Sequence, residues 1–242
     1  MKIIHATWEQ RNLGVDCYEV VLEAGDTLDM LKEKAPEYET EYTVVKVPTG
    51  MLDISFYLQS VGYTFMEVIT SCYHYAQLPV LTRIQQRMVD SITCEKMNDI
   101  DRELLFNEIR CGMFRDDRVS LDPYFSQEQA NNRYVCWISD EAMHGSQLFK
   151  LVYKGETAGF FVLKNQGNSN YHACIGGIYP NFQKLGFGFC MNYYEIYEGI
   201  KQNAKRIISS YSTNNRGASA IHLSIGYILD EQYYVFICHK HI

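Results

Sequence analysis

Gln183-Lys184-Leu185-Gly186-Phe187-Gly188 stands between a hydrophobic run, Tyr171 to Pro180, and a long periodic segment, Phe187 to Lys201. That order predicts strand, glycine loop, helix. The two glycines let backbone N–H groups turn inward with no Cβ in the way. The helix behind them aims its free N–H groups and positive dipole end at the same spot. Such a loop suits a pyrophosphate. Its spacing, Q-x-x-G-x-G, is neither the phosphate loop of nucleotide triphosphatases nor the dinucleotide fingerprint.

Working outward, Gln147 to Tyr153 and Ala158 to Leu163 predict a hairpin across Lys154-Gly155-Glu156-Thr157. Beyond the glycine loop, Arg206 to Tyr211 predicts a short buried strand. Asn214 to Ile225 predicts a helix closed by Gly226, and Ile228 to His239 a last strand rich in Tyr, Val and Phe. Towards the N-terminus, Asp99 to Arg110 and Glu128 to Met143 predict helices, the second capped by Ser126. Val80 to Met97 gives no clear period. Trp8 to Gly14 reads as an early loop able to cover a cleft. Residues 1–76 alternate strand-like and helix-like segments, with Asp26 or Thr27 capping a helix to Lys34.

One internal echo links the two ends. Ser60-Val61-Gly62-Tyr63 and Ser224-Ile225-Gly226-Tyr227 each end a helix and open an aromatic strand. The flanking order of strand, turn and helix repeats as well, so residues 1–76 read as a degenerate half of the same fold. At the place equivalent to the glycine loop stands Glu19-Val20-Val21-Leu22-Glu23-Ala24, so one half only can use such a loop.

The loop, with Ile178 and Pro180 ahead of it and Asn215 behind, resembles the acyl-CoA loop of the GCN5-related N-acetyltransferases, the GNAT superfamily. The closing helix reads Asn215-x-x-Ala218-x-x-x-His222-x-x-x-Gly226-Tyr227, matching that family's spacing with His222 where a Tyr is usual. The resemblance implies an α/β GNAT fold with a mixed central sheet, catalytic over 146–242. A degenerate, partial GNAT-like domain with a helical connection precedes it over 1–145. It implies acetyl-CoA as cosubstrate, with Gln183, Lys184, Leu185, Gly186, Phe187 and Gly188 around the pyrophosphate. Ile178 would lie on the pantetheine arm in a gap between two splayed strands, and Asn215 on the arm or at the helix start. Trp8 with Gly14, Asp117-Arg118-Val119 with Asp122, and Ala130-Asn131-x-Arg133-Tyr134-x-x-Trp137-Ile138 resemble the two-domain acetyltransferases of nucleotide-linked amino sugars, the dTDP-fucosamine type.

The expected reaction is acetyl transfer from acetyl-CoA to a primary amine, that of a nucleotide-linked amino sugar as the small-molecule acceptor, by direct attack. A protein, peptide or small-amine acceptor, or a CoA-binding protein without activity, are the alternatives. His222 is a candidate acid for the leaving thiolate, since imidazole titrates near neutrality. Tyr171 and His172 are candidate bases. Arg11 and Arg133 are candidate anion contacts for the acceptor. Cys238-His239-Lys240-His241 lacks second ligands at a metal spacing and reads as a frayed end, so no metal is expected.

Composition sets the outer limits. A 47% hydrophobic content over 242 residues suffices for a sizeable core. The net charge of −7, with no Lys/Arg run, argues against nucleic acid. No stretch approaches the ~20 apolar residues of a membrane span. The opening residues lack a signal-peptide pattern. The eight scattered cysteines, with no C-x-x-C, read as reduced thiols of a cytoplasmic protein. A homodimer is compatible with all of this.

Overall fold

The computed structural model describes residues 1–240. The elements run β1 (Lys2–His5), α1 (Thr7–Leu13), β2 (Cys17–Val21), α2 (Leu28–Tyr38), β3 (Tyr42–Pro48), α3 (Leu52–Ser60), β4 (Thr64–Tyr75), α4 (Arg83–Asp90) and β5 (Ile92–Lys96). Then follow α5 (Asp99–Arg110), α6 (Gln127–Met143), β6 (Gln147–Tyr153), β7 (Glu156–Gly167), β8 (Asn170–Ile178), α7 (Phe187–Lys201), β9 (Arg206–Ser212), α8 (Arg216–Ile225) and β10 (Ile228–His239).

All ten strands join one mixed sheet in the order β1-β2-β3-β10-β4-β9-β8-β7-β6-β5. Only β2 with β3 and β8 with β9 run parallel; the other pairs are antiparallel. One face carries α2 and α3, which bury Leu31, Ile54 and Leu58, and α7 and α8, which bury Cys190, Ile196 and Ile225. The opposite face carries α1, α5 and α6, with Leu13, Leu105, Ile109 and Ile138 in the core. Burial on both faces explains why the central strands read as continuous apolar runs.

The internal echo is a structural repeat with exchanged strands. β10 pairs with β3, in the first half, and β4 pairs with β9, in the second. Tyr233 faces Pro48 and His239 faces Tyr42; Ile69 faces Ser212 and Tyr75 faces Arg206. These pairs map onto each other by the same shift that carries Gly62 onto Gly226. The exchanged strands meet antiparallel, Ile228 opposite Tyr73 and Thr64 opposite Ile237, which are also mates under that shift. A pseudo-twofold axis thus passes between β4 and β10. The division of the chain expected at 145/146 is therefore not a division of the sheet.

Three readings of the sequence need correction. Trp8 to Gly14 is not a loop: Thr7–Leu13 forms α1, ended by Gly14 at φ +80°. Its helix is held by the face that buries Glu9, Asn12 and Leu13. The place equivalent to the glycine loop is not Glu19 to Ala24. Glu19 to Val21 is strand, paired with β3, and the following turn leads to Thr27, whose hydroxyl accepts from Met30 N to cap α2. The C-terminal segment is not frayed at Cys238 and His239, which belong to β10. The His239 Nε2 lies 2.7 Å from Asp122 Oδ2, and its ring stacks on Tyr42 and Tyr124. His241 lies outside the described residues.

Inside the second half, Glu195 of α7 is buried, with Oε2 unpartnered. Burial raises its carboxyl to about 8. The folded chain therefore holds a proton there that the unfolded chain releases from about 4.3 upward, so stability should fall as pH rises between those two values. Glu195→Gln should remove this slope and stabilise the protein above neutrality. Urea denaturation at several pH values checks it: parallel curves for both proteins would mean that Glu195 is ionised in the fold.

Candidate functional site

Strand β8 and strand β9 start side by side and then separate. Their ladder holds only Asn170 with Arg206, Tyr171 with Ile207 and His172 with Ile208. Beyond it, β8 continues to Ile178 and β9 to Ser212 without pairing to each other. A bulge sits at the branch: Val162 faces Ile175 and Leu163 faces Ala173, so Cys174 is the extra residue. Bulges bend a strand and sharpen its twist, which accounts for the divergence. The result is a wedge, bridged at its narrow end by Ser209 Oγ to the Ala173 carbonyl at 3.5 Å, along whose β8 wall the backbone up to Ile178 has no strand partner from β9.

The glycine loop closes the open end of this wedge. Lys184 has φ +66° and Gly186 φ +82°, and Gly186 is the N-terminal cap of α7. Alternating left-handed residues turn successive N–H groups to one side. The N–H groups of Lys184 to Gly188 lie ahead of the first intrahelical turn, where no carbonyl four residues back can take them. Gln183 reaches back, Nε2 to the carbonyl of Ile178 at 3.4 Å. Loop and wedge thus adjoin through Ile178, and all seven expected cofactor residues from Ile178 to Gly188 lie together. They fit a pyrophosphate with a linear arm. Asn215 serves the next helix instead, its Oδ1 accepting from Ala218 N at 2.9 Å to cap α8.

Opposite the branch point, on the face of α7 and α8, lie His222 and Ser209. The His222 Nδ1 lies 2.8 Å from the Ala218 carbonyl, so that nitrogen carries the proton. The Nε2 lies 3.0 Å from Ser209 Oγ, and accepts from that hydroxyl. Burial lowers the imidazole, partly opposed by the Ala218 bond, which keeps the ring neutral near pH 7. His222 is therefore not a free donor aimed into the wedge, as its place in the helix suggested. The proton nearest the wedge is the one between Nε2 and Ser209, the first β9 residue past the ladder.

The other expected residues divide. Tyr171 points away from the wedge: its hydroxyl donates to Gln202 O at 3.3 Å and accepts from Asn165 Nδ2 at 3.0 Å. It packs in the core beneath α7 and is not placed as a base. His172 lies on the opposite face at the last rung, with Nδ1 3.5 Å from Cys174 Sγ, and burial lowers its imidazole. Arg11 and Arg133 are not open anion contacts. Arg11 forms a double contact with Asp140, at 3.1 and 2.6 Å. Arg133 Nε donates to both oxygens of Glu9, at 2.7 and 3.0 Å, and Glu9 is fully buried. Both arginines tie α1 to α6.

The roles of two residues of this region escaped the reading of the sequence. Ser209 was expected only as the point where the two strands splay, with no chemical role. Glu67 lay in the apolar run from Tyr63 to Tyr75, where it is the lone carboxylate; that isolation was the available signal. Among the described residues, no three His, Cys, Asp or Glu side chains come together as metal ligands. No described helix is long and apolar enough to cross a membrane.

No family model matches this sequence, and no curated protein does. Solved structures do match in shape. A GCN5-related N-acetyltransferase from Sphaerobacter thermophilus superposes with a TM-score of 0.57 at 10% identity, over 88% of this chain and 66% of that one. A tandem GNAT protein from the clavulanic acid biosynthesis pathway gives 0.56 at 10% identity, over 95% and 77%. A GCN5-related glucosamine N-acetyltransferase region of a fungal multi-domain GH3 β-N-acetylglucosaminidase gives 0.65 at 10% identity. That match covers 98% of this chain and 31% of the fungal protein, so the chain spans about a third of its length. At such identities the likeness is one of fold: the chain is built on the GNAT fold.

Proposed function

We propose that this protein transfers an acetyl group from acetyl-CoA to the primary amine of an amino sugar, by direct attack and without an acyl-enzyme. The observation that carries this is the wedge between β8 and β9 joined to the loop from Gln183 to Gly188. The loop N–H groups would take the pyrophosphate, and the β8 backbone left without a β9 partner would take the pantetheine arm. A backbone N–H in the bulged strand would polarise the thioester carbonyl. Direct attack fits the thiols: burial pushes Cys174, the nearest to the branch, up to about 12, which leaves no thiolate to act as nucleophile.

An amino sugar is favoured by the fungal neighbour, whose region is described as a glucosamine N-acetyltransferase. The nucleotide-linked form drew on Arg11 and Arg133, which are engaged by Asp140 and Glu9. Free amino sugars therefore come first, and nucleotide-linked ones second. Residues 146–242 would supply the CoA site and 1–145 the second wall.

The test is calorimetric titration with acetyl-CoA, followed by thiol release across free and nucleotide-linked amino sugars, polyamines and peptides. Absence of binding at millimolar acetyl-CoA overturns the reading. Binding without release from any amine makes the protein a CoA-binding module. Release with peptides alone moves the acceptor class. His222→Ala should lower kcat by up to about 100-fold with acetyl-CoA affinity retained, because the Ser209 hydroxyl beside the wedge loses the Nε2 that orients it. An unchanged kcat would leave His222 a packing residue and the thiolate to depart unaided.

A further inference from the structure

The wedge has two sides, and only one has been used. His222 and Ser209 lie on the side of α7 and α8. On the other side, beside the open end of β9, stands Glu67. Val235 opposite it on β10 belongs to the core beneath α1 and α6, which places Glu67 on that face. Ile69, two residues along the same edge, pairs with Ser212, the last residue of β9. The chain beyond is tied to the same strand, Thr213 N donating to the Val68 carbonyl at 2.9 Å. The Ser212 hydroxyl thus faces the Glu67 carboxylate.

Glu67 is 2% exposed, and its Oε2 is enclosed without a hydrogen-bond partner. A buried carboxylate oxygen left unpaired is costly, so such atoms call for an explanation. The bland explanation is charge balance for Arg118. Yet Arg118 places Nη2 on Glu19 Oε1 at 2.8 Å, and Lys46 also bonds to Glu19 at 2.9 Å. Cations and hydrogen bonds of this cluster converge on Glu19, which they hold down at about 2 against the pull of burial. Glu67 shares the charge of Arg118, but its Oε2 and the Arg118 Nε are both buried without a hydrogen-bond partner. Burial raises the Glu67 carboxyl, Asp117 adds to the rise, and Arg118, Ser212 and Lys46 oppose it. The charge of Glu67 is also felt by the buried Tyr134 of α6.

We propose that Glu67, carried into the second half by the exchanged strand β4, receives the acceptor's ammonium group and takes its proton before attack. The proposal rests on the acetyl-transfer reading above. The acceptor R–NH3+ gives one proton to the Glu67 carboxylate and becomes R–NH2. The nitrogen lone pair forms the C–N bond to the thioester carbonyl carbon, and the C–S bond breaks with its electron pair on sulfur. The second nitrogen proton goes to the thiolate, and Glu67 releases its proton to water. Amine enters from one face and thiol leaves on the other, so neither crosses the path of the other. The class of acceptor is then cationic at the reacting group.

The experiment compares wild type and Glu67→Gln with two acceptors: glucosamine, protonated near neutrality, and methoxyamine, already neutral there. Acetyl-CoA affinity is measured in parallel by calorimetry. The expected result is unchanged acetyl-CoA affinity, a loss of at least ~100-fold in kcat/KM for glucosamine, and methoxyamine turnover within about threefold of wild type. Equal loss with both amines, or no loss with either, overturns the assignment. In wild type alone, the rate with glucosamine should fall on acidification while the rate with methoxyamine holds. Parallel pH profiles would overturn the proposal even if the variant did not fold. Failure of wild type to bind acetyl-CoA would instead sink the acetyl-transfer reading, and this assignment with it.

Discussion

Gly186→Val is expected to cut acetyl-CoA affinity at least tenfold, about 1.4 kcal/mol, in a protein that still folds. Gly186 sits at φ +82° as the residue before α7. A β-branched side chain there is strained by its own backbone. The easiest relief is a rotation of the peptide that turns the loop N–H groups away from one another. A Cβ would also lie 2.3 Å from Met88 Cε, but that is the flexible end of a side chain and can move. Strain, more than collision, should therefore set the effect, and Gly186→Ala should already lose part of the affinity. Calorimetry with acetyl-CoA measures it, and circular dichroism confirms the fold. Unchanged affinity in Gly186→Val would make the loop a plain turn.

Arg133→Leu should destabilise the protein by about 3–5 kcal/mol, because it strands a buried charge. Glu9 is fully buried, and both of its oxygens accept from Arg133 Nε. Removing the guanidinium leaves a fully buried carboxylate without its cation, which must then take up a proton or drag in water. A second change, Glu9→Leu, should restore much of the loss, since an apolar pair can fill such a site. Chemical denaturation of the single and double variants forms the cycle. A stable Arg133→Leu protein whose acceptor KM rises instead would return Arg133 to the acceptor site.

The C-terminal half was legible because its chemistry is local. The glycine loop, the cap at Asn215 and the turn at Gly155 each state their geometry in adjacent residues. The echo at Gly62 and Gly226 was legible too, but not the exchange of β4 and β10, since both pairings bury the same apolar residues. Arg11 and Arg133 misled because a sequence displays a charge without its partner; Asp140 lies 129 residues from Arg11, and Glu9 lies 124 from Arg133. His222 was found by spacing, whereas Ser209, which holds its Nε2, belongs to another element. α4 and β5 were unreadable in the stretch from Val80 to Met97, since β5 is a short edge strand facing water on most of its positions.

The exchange of strands bears on how the protein is made. β3 and β4 are synthesised early, yet the strand that fits between them is β10, made last of the ten. Until then their facing edges carry open N–H and C=O groups, the kind that recruit a second chain. The centre of the sheet therefore waits on contacts distant in sequence, which slows folding and lengthens exposure to aggregation. A ribosome stalled before Ile228 would hold a chain with the glycine loop and wedge strands present and the centre of its sheet still missing.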